Sequence, residues 1–252
     1  IHDTDGTPFT VHRAAELQAA RDRRMGRAAR IALSAQGGGS FGQALDSAAP
    51  DWAEDPELAW SIDDVLTQRL GARPADIAQA AWSAPGPTTP VVLRRGVAEI
   101  AQVQAGDTDL RTDTPVHGID WSASRVVVHT LSASFPADAV IVTAPIGVLQ
   151  AGAITFHPAL PRSTQSALAG LRPGVVDRVA FRFPHQFWGS DGRLGRISAT
   201  PGRFTSWINL AHPSGAPILV GTVAAAMARS LEPRSDATLT RDALASLRAL
   251  FS

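Results

Sequence analysis

Residues 137–188 read ADAVIVTAPIGVLQAGAITFHPALPRSTQSALAGLRPGVVDRVAFRFPHQFW, and the interpretation of the whole chain turns on them. The run ADAVIVTAP, 137–145, is almost continuously apolar and closes on proline, the pattern expected of a buried strand. RVAFRF, 178–183, reads as a further strand. Working forward, FTSWINL (204–210) and PILVGTV (217–223) read as two more, and residues 235–251 as a helix capped by Ser235 or Asp236. Working back, DLRTDTPVHGIDW (109–121) and SRVVVHTL (124–131) read as paired strands. VVL (91–93) is expected to be a short strand, followed by a helix from Val97 to about Val103.

Upstream of the turn-rich linker SAPGPTTP (83–90) the period changes to that of helices. Val11, Ala14, Ala15, Leu17 and Gln18 onward to Ile31 and Leu33 predict a long amphipathic helix with an Arg-rich outer face. Ser40 with Gln43 three residues later resembles a capping box. Asp55-Pro56-Glu57 predicts a helix start, with Leu58, Ile62, Val65, Leu66 and Leu70 on one face and Gly71 as the stop. A short helix is expected from about Pro74 to Trp82. Helices first and mixed elements after them predict an α/β (α+β) fold.

Composition narrows the chemistry. The 252 residues are 44% hydrophobic and 18% charged, enough for a sizeable core. Formal net charge is zero, so no phosphate-neutralising surface for nucleic acid is expected. Every basic residue is Arg, which removes Schiff-base and lysine-base mechanisms. The absence of Cys removes disulfides, thiolate nucleophiles and Cys-held metals. The seven His residues are scattered without helical ligand spacing, so no metal site is expected. Asp63-Asp64 and Asp236 with Asp242 read as charges on solvated helix faces or at caps. The Gly-rich stretch at 36–42 follows a helix and precedes no Lys, so it is read as an interhelical loop and not a phosphate loop. No hydrolase nucleophile elbow and no membrane span are expected. With no signal peptide read at the start, a cytoplasmic location is the expectation, and both ends read as interior to a longer pattern.

One stretch goes beyond composition. A-D-x-V-I-V-T-x-P-x-G-V-L, then I-x-F-x-P-x-L-P, a helix, and a strand ending in F-x-x-x-F-W occur in order between Ala137 and Trp188. This resembles the flavin-containing amine oxidases: monoamine oxidases, polyamine oxidases and their histone demethylase relatives. VVLRRGVAEIA (91–101), TPVHGI (114–119), FTSWINL and the segments after it resemble the flanking parts of that family. The likeness is strong over about 90–252, whereas 1–89 agree in helical character.

The resemblance implies the central part of the amine oxidase fold. Residues 1–89 would form the helical part of the substrate domain, 90–148 strands of a partial FAD-binding domain, and 149–252 the mixed substrate-domain sheet with helices. It implies FAD as cofactor, with the backbone of Val116 against the adenine and Thr143, Ala144 and Pro145 passing close to the flavin. It implies a small-molecule amine substrate in a cavity that Trp207 would wall. The family's Lys, which holds a water near the flavin, is replaced by Arg178. The family's opening strand with a G-x-G-x-x-G helix start, and its closing flavin-contacting segment, are not read in these residues. Complementing segments, or a chain carrying them, are therefore expected as partners. The alternatives are a non-catalytic remnant of an amine oxidase acting as a binding or interaction module, and an unrelated α+β binding protein.

Overall fold

The computed structural model describes residues 1–35, 38–79, 93, 96–198 and 203–251. The chain divides into two compact units, one of Ile1–Arg94 with Gly174–Ser252 and the other of Arg95–Pro173.

The first unit opens with helices. α1 (Val11–Ser34) starts where the Thr10 side chain accepts from the Arg13 amide. Its buried stripe is Leu17, Met25, Ala28 and Ala32, while Val11 and Leu33, expected on the apolar face, are exposed. The small Ala28 and Ala32 let α2 (Phe41–Ala48) approach closely and seat Phe41, Ala44 and Leu45. The capping box expected at Ser40 and Gln43 is present in both directions. Asp55 caps α3 (Pro56–Ile62) by accepting from the amides of Glu57 and Leu58. The helix then widens into a π-helical turn, Asp63–Thr67, before the short α4 (Gln68–Leu70), which ends on left-handed Gly71. Leu58, Ile62 and Leu66 close the core against α1 and α2, and Leu70, expected beside them, is exposed. A single 3-10 turn, Pro74–Asp76, stands where a short helix was expected. Trp82, the linker at 83–90 and Val91 and Val92 of the expected strand lie outside the described residues.

In the second unit, α5 (Val97–Ala105) precedes a four-stranded sheet of order β3-β2-β1-β4. Its strands are β1 (Val116–Asp120), β2 (Val126–Thr130), β3 (Ser134–Ala137) and β4 (Thr155–His157). β1 pairs antiparallel with β2, as the sequence suggests, and parallel with β4. Between them α6 (Ile146–Gln150) lies against α7 (Arg162–Gly170), where the Gln150 side chain donates to the carbonyls of Leu168 and Leu171. The β1–β4 pairing groups residues 149–173 with β1–β3, whereas the sequence reading joined them to the segment that follows. The run 137–145, expected as a buried strand, does not form one. Only Ala137 ends a strand, and Ile141 is 90% exposed. A strand buried on both faces needs hydrogen-bonding neighbours, and none of the described strands pairs with 138–145.

The first unit resumes with an antiparallel sheet of order β5-β8-β7-β6. It is built from β5 (Val176–Arg182), β6 (Arg193–Gly195), β7 (Ser206–Asn209) and β8 (Ile218–Ala224). The short α8 (Ala211–Ser214) follows β7, and α9 (Ala225–Leu231) and α10 (Asp236–Arg248) follow β8. Side chains alternate across the pleat. Val179, Phe181, Leu194, Trp207, Leu219 and Val223 face a core completed by Ala228, Leu231, Ala243 and Leu247 from the last two helices. Burying an indole such as that of Trp207 removes about 150–250 Å² from water, worth roughly 4–6 kcal/mol before entropy.

Candidate functional site

The face of this sheet turned away from the core carries the site. Arg178 pairs with Thr222 across β5 and β8, and Thr222 pairs with Ser206 across β8 and β7. The same alternation that sends Phe181 and Trp207 into the core leaves Arg178, Thr222 and Ile208 on the other side. There they line a cavity of about 890 Å³. The opposite wall comes from the π-helical turn and α4, which contribute Asp64, Val65, Gln68 and Arg69.

The walls are tied together. Arg193 on β6 donates to Asp64 at 2.6 Å, and the Asp64 side chain is 13% exposed. Asp63, its neighbour, turns inward and accepts from Gln68 Nε2 at 3.0 Å. Burial pushes the Asp63 carboxyl above its ordinary range, against the hydrogen bonds of Gln68 and Thr67, which lower it. That bond commits the Gln68 amide nitrogen, while Gln68 Oε1 is buried with no hydrogen-bond partner among the described residues. Asn209 fixes the rim by donating to the Asp191 carbonyl at 2.9 Å and accepting from the Ala211 amide at 2.9 Å.

The residues singled out in the sequence fall differently. Arg178 lines the cavity. Trp207, expected as the aromatic wall, is fully buried in the core, with its indole N–H donating to the Phe204 carbonyl at 2.8 Å. Ile208, one residue on and therefore on the other face, is the wall instead. In the second unit, Val116 begins β1 beyond the stretch that β4 pairs, since that pairing runs from Gly118 to Asp120. Thr143 and Pro145 are exposed, and Pro145 is the N-cap of α6. Asp64, Gln68, Arg69 and Arg193 were not singled out as site residues. Their only sequence signal was the Asp63-Asp64 pair, which reads equally well as a solvated helix face.

Gly37 to Gly42 spells both G-x-G-x-x-G and G-x-S-x-G. The surroundings fit neither a dinucleotide cradle nor a nucleophile elbow. α1, and not a strand, leads into the stretch. The amides of Ser40, Phe41 and Gln43 already donate to Gln43 Oε1, the Ile77 carbonyl and Ser40 Oγ. A Cβ at Gly42 would stand 2.9 Å from the Ala75 backbone, so this glycine serves helix packing. The described residues therefore offer a cofactor no pyrophosphate cradle at this stretch.

Residues 76–252 match the family model described as flavin containing amine oxidoreductase. The chain belongs to that family. Among curated relatives it is 33% identical over 162 residues to the probable polyamine oxidase 4 of Arabidopsis thaliana, covering 64% of this chain and 33% of that protein. It is 36% identical over 146 residues to polyamine oxidase 4 of Oryza sativa subsp. japonica, covering 58% and 30%. It is 29% identical over 168 residues to the human lysine-specific histone demethylase 2, covering 64% and 20%. The chain thus spans about a third or less of the length of these relatives. Among solved structures, wild-type putrescine oxidase bound to putrescine superposes with a TM-score of 0.72 at 19% identity, over 98% of this chain and 60% of that one. That likeness establishes the amine oxidase fold. Among the described residues no helix is long and apolar enough to cross a membrane.

Proposed function

We propose that this chain is the central section of an FAD-dependent amine oxidase, in which the first unit supplies the substrate cavity and the second supplies strands of the FAD-binding domain. The observation that carries the reading is the placement of Arg178, the residue at the family's Lys position, on a cavity of about 890 Å³. A bound FAD would supply the redox chemistry, namely acceptance of a hydride from the amine α-carbon and reoxidation by O2, with hydrogen peroxide and an imine as the products. The protein's part is to bind and orient. In this reading the backbone of Val116, which lies outside the stretch of β1 that β4 pairs, would meet the adenine, and Thr143, Ala144 and Pro145, which lead into α6, would pass close to the flavin. Val65 and Ile208 keep water off the substrate, and Arg178 holds a fixed positive charge that can anchor a water but cannot accept its proton.

The Arg at 178, in place of the family's Lys, favours a second reading, a non-catalytic member that keeps the fold and serves as a binding module. Two measurements separate them. The 252-residue chain by itself is expected to lose FAD on gel filtration, and stoichiometric flavin eluting with it would overturn the need for complementing segments. The full-length protein loaded with FAD is expected to release peroxide with at least one member of a panel of monoamines, diamines and amino acids. Failure of every amine to bleach the flavin without oxygen would leave the second reading.

A further inference from the structure

We propose that the cavity beside Arg178 takes an amine that also carries a carboxylate, an amino-acid-type substrate, in preference to a polyamine. The proposal rests on the oxidase reading above and names the substrate class for the same site. Among the described residues the lining holds three guanidiniums, of Arg69, Arg178 and Arg193, against one carboxylate, that of Asp64. Asp64 is already taken, since it pairs with Arg193 at 2.6 Å. Arg69 and Arg178 have no acidic partner among the described residues. A second ammonium on the substrate would meet uncompensated like charge, whereas a carboxylate would meet two planar forks suited to bidentate hydrogen bonds.

The amine end also has a place. Gln68 lines the cavity at 5% exposure, its Nε2 is committed to Asp63, and its Oε1 accepts from nothing among the described residues. A buried acceptor left unpaired is costly, and a rotation of the Gln68 amide toward the cavity would let an ammonium N–H satisfy it. Val65, Ile208 and Leu210 give the remaining wall an apolar character that suits an aliphatic side chain.

Calorimetric titration of the full-length protein, without substrate turnover, tests this with three probes: L-leucine, 3-methylbutylamine (the same amine without its carboxylate) and 1,4-diaminobutane. L-Leucine is expected to bind at least about tenfold more tightly than either amine, and more weakly as salt rises. The double variant Arg69→Gln/Arg178→Gln is expected to abolish the preference, and Arg69→Lys/Arg178→Lys to keep part of it, since the charge stays while the bidentate fork is lost. Both arginines are exposed, and matching thermal melts confirm that the variants fold. Equal or tighter binding of either amine, a preference that survives the double Gln variant, or no binding by any probe would each overturn the proposal. Peroxide formed from 3-methylbutylamine by a protein that ignores L-leucine would sink this inference and leave the oxidase reading intact. Leucine binding without flavin reduction would do the reverse.

Discussion

Gly221 lies directly opposite Trp207 in the β7–β8 register, and the indole fills the place of the missing side chain, with two ring atoms 2.9 Å from where a Cβ would stand. The sheet thus trades a side chain on β8 for an indole laid flat against it. Gly221→Ala is expected to force the ring out of its rotamer and cost about 1–3 kcal/mol. Trp207→Ala is expected to cost about 3–5 kcal/mol. Because the indole faces the core, ligand affinity at the cavity should change far less than stability in the folded fraction. Denaturant titration beside calorimetry checks both, and a Trp207→Ala protein of parental stability with lost ligand binding would return the residue to the cavity wall.

Asp63 gives the chain a pH dependence with a definite sign. Its carboxyl is raised by burial, so between the ordinary carboxylate range and the raised value the folded state holds a proton that the unfolded chain has released. Stability from this group therefore falls as pH rises through that window and is restored below it. Asp63→Asn keeps an acceptor for Gln68 Nε2 without the charge, and should unfold at a higher temperature than the parent at about pH 8, with the gap closing towards about pH 4. A gap independent of pH would show that ionisation is not the cause.

What could be seen in the sequence divides along lines of range. The Ser40–Gln43 box and the Asp55 cap involve residues within three positions of each other, and both form as expected. β5, β7 and β8 are likewise legible, because their apolar runs pair with each other. The run at 137–145 was misleading because strand formation needs a partner: the same apolar residues that predict burial leave Ile141 in the open when no described strand lies alongside. The cavity was largely hidden. Its bracing pair, Asp64 and Arg193, is separated by 129 positions, and no local pattern joins them. Trp207 stands in the core one step of strand periodicity from Ile208 on the cavity face, and one step is enough to move a side chain from one face to the other.

Gly71 ends α4 with φ +67°, and its carbonyl accepts from the Val175 amide at 2.9 Å. A Cβ there would stand 2.5 Å from that amide nitrogen, so alanine brings a steric clash in addition to left-handed strain. Gly71→Ala is expected to cost about 2–4 kcal/mol, against about 1 kcal/mol for Gly215→Ala. Gly215 shares the left-handed conformation at φ +73° but has nothing within 4 Å of its Cβ position. Equal losses in urea titrations of the two variants would mean that backbone strain alone is at work and that the α4–β5 approach is slack.

Arg178 offers the sharpest test of chemistry. A guanidinium remains charged throughout the accessible pH range, whereas a desolvated ammonium can give up its proton. If this position manages a water beside the flavin, Arg178→Lys in the full-length, FAD-loaded protein should raise oxygen-dependent turnover at least about threefold and add a new basic limb to its pH profile. Charge in the cavity is kept, so KM for a carboxylate-bearing amine should shift little. Arg182→Lys is the control: it lies on the same strand, opposite Ile218, and does not line the cavity. Turnover that is unchanged in both variants, or that falls in Arg178→Lys while Arg182→Lys behaves as parent, would mean that the guanidinium serves binding and not proton management.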